Sequence, residues 1–211
     1  LAQPYLRRER IKPGIRLSEL GRIVFLDVES TGLDAESSFI VGFGLMGLDG
    51  RFSHSFAKGS VAEGEAKIIR TLLKRLGQYD TVVTWYGAGF DFPLLISRAL
   101  KADIDPSPLL EKRHIDLWRY AKSLLRLQRY DLDNVCKFLG IQKRVELKGY
   151  DMPPLYMRAL THDREAMKLI LEHCQDDLEG LRQVFAKMRK VVEAAGLSPS
   201  FPSQGQDRDH D

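Results

Sequence analysis

The stretch Phe25-Leu26-Asp27-Val28-Glu29-Ser30-Thr31-Gly32-Leu33 sets two carboxylates at the end of an apolar run and follows them with turn residues. The run 22–28 is rich in β-branched side chains, which predicts a buried strand. Residues two apart on a strand share a face, so Asp27 and Glu29 stand side by side. Two like charges there are costly to desolvate, and hard oxygen donors at one strand end are what Mg²⁺ or Mn²⁺ accepts. A solvated strand end turning into a loop would carry the same letters without a metal.

Outward from this stretch, 39–46 is a second apolar run, and the Thr-Gly-Leu-Asp turn region between the two predicts a hairpin. A short third strand is expected at 52–56. Helical spacing of Ala66, Ile69, Leu72, Leu73 and Leu76 follows, then a buried strand at 81–85 and a helix from Asp91 to about Leu100. From Asp116 the period is mostly that of a helix, with helices expected near 116–128, 131–139 and 163–192. Strands first, then alternation, then helices describe an α/β sandwich: a mixed β-sheet of about five strands flanked by helices.

The 211 residues fit one domain, and 44% hydrophobic with 29% charged residues describes a globular chain without the roughly 20 consecutive apolar residues of a membrane span. The division expected is a basic extended arm at 1–19, a folded domain at 20–192 and a disordered Ser-, Pro- and Asp-rich tail at 193–211. Cys136 and Cys174 are not in a Cys-x-x-Cys pair, which points away from a zinc cage or disulfide framework and towards a reducing, cytoplasmic setting. The chain opens at Leu1 rather than methionine, so the lack of an export signal carries less weight than usual. A net charge of +3 identifies no partner, but 112–148 holds ten Lys or Arg against Asp116, Asp131, Asp133 and Glu146.

Further carboxylates complete the pattern. Asp91, in Trp85-Tyr86-Gly87-Ala88-Gly89-Phe90-Asp91-Phe92-Pro93, follows a strand and opens a helix, so it is expected to cap that helix while keeping an oxygen for a cation. Asp177, in Glu172-His173-Cys174-Gln175-Asp176-Asp177-Leu178, falls on the stripe of Ile170, Cys174, Leu181, Phe185 and Met188. An aspartate facing a core needs a cation or dense hydrogen bonding. Asp176 is expected nearer to solvent. His173 sits at the rim of the stripe, where a histidine is either structural or a base beside metal carboxylates.

In this order the motifs resemble the DEDD superfamily of 3'–5' exonucleases. Asp27-x-Glu29 with Ser-Thr-Gly-Leu is similar to its first motif, Gly87-x-x-Phe90-Asp91 with Pro93 to its second, and His173 with Asp177 to its third. The similarity is greatest to the ribonuclease-H-like exonuclease domain typified by YprB, and extends to His114-Ile115-Asp116-Leu117 and to 132–140. The resemblance implies a ribonuclease-H-like fold and hydrolysis of DNA or RNA from a 3' end, with single-stranded ends favoured. Two ions, Mg²⁺ or Mn²⁺, would be held by Asp27, Glu29, Asp91 and Asp177. It also implies His173 as the group that orients or deprotonates water, and Thr31, Gly32, Leu33 and Phe90 as the grip on the terminal nucleotide.

The chain departs from the pattern in two places. Tyr86 stands where asparagine is usual, and His173 precedes its aspartate by four residues, the spacing of the tyrosine-bearing branch rather than the five of the histidine branch. Arg119, Lys122, Arg126 and Arg129 recur at helical spacing opposite Leu117, Ala121 and Leu124, as a phosphate-binding stripe or an ordinary solvated face would. Two rival readings remain. One is an impaired nucleic-acid-binding module on the same fold, since Tyr86 breaks a motif. The other is a haloacid-dehalogenase-like phosphatase, which would need Asp at position 29 and an acidic pair closing a strand.

Overall fold

The computed structural model describes residues 17–57, 61–145, 147, 151–161 and 163–195. A short 3-10 turn at Leu17–Glu19 leads into strand β1 (Ile23–Ser30), which pairs with β2 (Ile40–Gly47), and β2 with β3 (Phe52–Phe56). Helix α1 (Val61–Leu76), strand β4 (Thr81–Thr84) and helices α2 (Asp91–Lys101) and α3 (Ser107–Leu110) follow. The chain then forms strand β5 (Arg113–Asp116) and helices α4 (Leu117–Leu124), α5 (Leu132–Phe138), α6 (Met152–Leu160) and α7 (Arg164–Ala195).

The five strands form one mixed sheet in the order β3-β2-β1-β4-β5. The β1–β2 and β2–β3 pairs are antiparallel, whereas β4 and β5 run parallel to β1. This is the mixed sheet flanked by helices that the sequence predicts.

Alternation along β1 sorts its side chains. Val24, Leu26 and Val28 face a core built with Ile69 and Leu72 of α1 and Phe92 and Leu95 of α2. Ile23 and Phe25 face the opposite core, built with Leu117 of α4, Val135 of α5 and Leu178 and Phe185 of α7. Asp27 and Glu29 continue the second series. The apolar pattern that buries α7 on the sheet therefore aims both carboxylates at that helix.

A smaller cluster joins Val41 to Tyr156 of α6 and Ile170 of α7. Among the described residues, no helix is long and apolar enough to cross a membrane.

Several sequence expectations shift. β5 and α6 were not placed by periodicity, the first having four residues and the second carrying two prolines in its opening turn. α4 ends at Leu124 rather than near 128, because Leu125 adopts an extended conformation. Of the basic arm expected at 1–19, residues 1–16 lie outside the described residues, as do 196–211 of the expected tail; 193–195 are the end of α7.

Candidate metal and nuclease site

Asp27 and Glu29 lie at the carboxyl end of β1, and Cys174 of α7 completes a group whose potential ligand atoms all lie within 4.8 Å of one another. Close approach of α7 is what brings them together. Gly44 of β2 stands directly opposite Asp27, and a Cβ there would collide with the Cys174 sulfur and Leu178. A larger residue at 44 would push α7 off the strand end.

Asp91 and Asp177 flank this group without belonging to it. Asp91 is the first residue of α2; the cap position is Phe90, with no side-chain capping bond. The buried Asp91 carboxylate instead accepts from the backbone N–H of Val28 at 3.1 Å. It ties α2 to the strand carrying Asp27 and Glu29, which corrects the capping role expected from sequence. Asp177 is half-buried, less than its place on the apolar stripe predicts, and its Oδ1 accepts from the Lys143 ammonium at 2.5 Å.

His173 is buried, with Nδ1 3.7 Å from Asp177 Oδ1 and unpartnered at hydrogen-bond distance. Asp176 is buried too, contrary to expectation: its Oδ2 accepts from the backbone N–H groups of Arg144 and Val145. That carboxylate pins the loop that delivers Lys143.

Crowding leaves its mark on acidity. Desolvation, then repulsion from Asp177, pushes Asp27 up to about 6 despite the neighbouring His173 and Lys143. Burial and the Asp27 charge hold Glu29 well above the ordinary carboxylate range, and the same two causes raise Asp91. Such a cluster disfavours its own ionisation unless cations enter.

Two residues at the site were not singled out from sequence. The Tyr156 hydroxyl of α6 donates to Glu29 Oε2, and Lys143 bridges Asp177 and Asp133. Even so, Glu29 Oε1 is buried with no hydrogen-bond partner. An orphaned carboxylate oxygen beside further oxygen donors fits a divalent cation, which takes such oxygens as ligands.

The residues expected to grip substrate are more scattered. Thr31 is occupied structurally, its Oγ1 accepting from the Phe39 N–H at 2.9 Å. Gly32 packs against Ser38, Leu33 is 84% exposed, and Phe90 is partly buried against the core of the α1–α2 side. The basic helical stripe is shorter than predicted. Arg119 and Lys122 are on α4, but exposed Arg126 and Arg129 lie beyond its end, and Arg129 pairs with Asp131.

The family model of the RNase_H superfamily matches residues 24–189. The chain belongs to that superfamily. A DNA polymerase of Methanocaldococcus jannaschii is 31% identical over 103 residues, covering 39% of this chain and 6% of that protein. The family B DNA polymerase of the archaeon Pyrobaculum calidifontis superimposes with a TM-score of 0.69 at 18% identity, over 80% of this chain and 24% of the polymerase. This RNase_H superfamily chain thus spans only a small part of either relative, and the structural likeness is one of fold. Asp176 and Asp177 lie inside α7 rather than closing a strand, so the phosphatase alternative loses its acidic pair.

Proposed function

We propose that the chain is a metal-dependent 3'–5' exonuclease acting on DNA or RNA, with residues 20–192 as its catalytic domain. The observation that carries the reading is the convergence of β1 and α7 on a largely buried acidic cluster whose Glu29 Oε1 has no hydrogen-bond partner. Asp27, Glu29, Asp91 and Asp177 would hold two Mg²⁺ or Mn²⁺ ions. Bound there, such ions supply activation of water and neutralisation of charge on the scissile phosphate.

The chain's own residues do the rest. His173, with an unpartnered ring nitrogen near Asp177, orients the attacking water or takes its proton. Tyr156 fixes Glu29 by donating to one of its oxygens and leaves the other free. Lys143 offsets the charge of Asp177. Thr31, Gly32, Leu33 and Phe90 contact the terminal nucleotide, and Arg119, Lys122 and Arg126 the phosphate backbone. Family membership and the polymerase relatives support nucleic acid as the substrate.

The test is direct: 5'-labelled single-stranded and duplex DNA and RNA, incubated with Mg²⁺ or Mn²⁺, should give a ladder shortening from the 3' end. Asp27→Ala and Asp177→Ala should each abolish it while the fold is retained. Unchanged turnover in either would remove the site assignment. The impaired-module reading draws on Lys143, whose ammonium already occupies Asp177. Calorimetric titration with Mn²⁺ separates the two, since an impaired site binds no metal tightly.

A further inference from the structure

The parallel strands β1, β4 and β5 present their carboxyl ends at one edge of the sheet. β1 brings Asp27 and Glu29 there, the β4–α2 turn brings Tyr86, and the start of α4 brings Trp118. Crevices at such an edge are where open α/β sheets receive ligands.

Tyr86 is unusual in three respects. It is 44% exposed although aromatic, and its φ of +62° lies in the left-handed region that a bulky side chain rarely enters. Asparagine enters that region more readily, so the backbone makes tyrosine a costly occupant of this position. One side of the ring lies over Gly89, where any Cβ would collide with it.

The ring is also held in place. Its centroid is 4.8 Å from that of Trp118 at an interplanar angle of 66°, and the exposed Lys122 ammonium stands 4.5 Å from the Trp118 centroid. One buried carboxylate organises both aromatics. Asp116 accepts from the backbone N–H groups of Tyr86 at 2.9 Å, Trp118 at 3.1 Å and Ala88 at 3.1 Å. An exposed ring on a strained backbone position, whose amide a buried anion holds and whose edge meets a second ring, is arranged for contact with something planar outside the protein.

We propose that Tyr86, backed by Trp118, is a stacking site for an unpaired nucleobase of the strand entering the acidic cluster, with Lys122 beside it for a phosphate. The inference rests on the nuclease reading above. Stacking on aromatic faces is how proteins hold single strands without reading their sequence, and a cation alongside follows the backbone. Tyrosine thus contributes a face that asparagine would not.

The test compares two 5'-labelled single-stranded oligonucleotides of equal length, one ordinary and one with abasic sites at its last three 3' positions. Binding is read by anisotropy in Ca²⁺, in place of the Mg²⁺ or Mn²⁺ used for hydrolysis. Wild type should bind the ordinary strand roughly tenfold more tightly than the abasic one, within the usual range for aromatic stacking. Tyr86→Phe should keep that ratio. Tyr86→Asn, which suits the left-handed backbone and so should fold at least as well, should lower the ratio severalfold by weakening only the ordinary strand, the remainder resting on Leu33 and Phe90 at the terminal base; Trp118→Ala should lower it less.

A folded Tyr86→Asn protein that still discriminates tenfold overturns the stacking site. So does a variant that loses affinity equally for both strands, since the ring would then act through structure or phosphate. If wild type hydrolyses nucleic acid but binds both strands alike, the stacking site fails and the nuclease reading stands. If wild type neither binds nor hydrolyses any strand, both fail.

Discussion

Two buried glutamates face opposite fates in this molecule. Glu65 on α1 is paired with buried Arg98, whose Nε and Nη2 donate to its two oxygens at 2.8 and 2.5 Å. Its Oε1 also accepts from the Ile40 N–H, while Arg98 Nη1 donates to the Ala35 carbonyl. Glu29 on β1 is buried as well, but its neighbours are Asp27, Asp177 and Cys174, and one oxygen has no partner. Burial alone does not mark a functional carboxylate. What separates the two is whether the protein itself supplies the opposite charge.

The Glu65–Arg98 pair gives the largest stability effect. Arg98→Ala leaves Glu65 buried and uncompensated, and should cost about 3–5 kcal/mol in urea unfolding with no direct effect on the acidic cluster. Replacing both partners together, Glu65→Leu with Arg98→Met, should recover part of that loss. Recovery stays incomplete because the Ile40 N–H and the Ala35 carbonyl lose their partners. A near-neutral Arg98→Ala would mean that Glu65 reaches water and is no fair counterpart to Glu29.

At the other pole, His173→Ala should lower turnover by about 10²-fold, the lower end of a general base's contribution, with little change in Mn²⁺ affinity. A variant keeping the wild-type rate would make His173 a structural residue like His114, which is pushed down to about 4 by burial and bonded to Thr84.

How much of this was legible in the sequence follows from what each residue answers to. Asp27 and Glu29 were legible because a two-residue period inside an apolar run fixes a shared face, and the sheet obeys it. Asp91 was legible in position but not in role, since only tertiary contact with Val28 shows it tethering rather than capping. Asp176 was misread because helical periodicity ignores loops, and the 143–145 loop covers it. Tyr156 was out of reach, being 127 residues from Glu29 on a helix whose prolines hide it. Tyr86 reads as a departure from the resembled pattern, but its positive φ is no property of a residue string.

The smallest effect is the most diagnostic of the contrast, and it is read without turnover. Asp27 has a folded-state value of about 6 against an ordinary 3.8, so the native state binds its proton more readily than the unfolded chain does. The stability tied to that proton is fully present below about pH 3.8 and is lost as the pH rises through about 6. Glu29 and Asp91 are shifted in the same direction. Metal-free wild type should therefore melt a few degrees higher near pH 5 than at pH 7, given that about 1 kcal/mol moves Tm by ~2–4 °C in a chain of this size. Asp27→Asn removes one charge of the cluster, so it should melt above metal-free wild type at pH 7 and gain less on acidification. Saturating Mn²⁺ should invert the order at pH 7, stabilising wild type by binding the native state and leaving Asp27→Asn nearly unmoved. If wild type and variant melt alike at both pH values and neither responds to Mn²⁺, the cluster is as internally satisfied as Glu65 with Arg98, and it has no vacancy for a cation to fill.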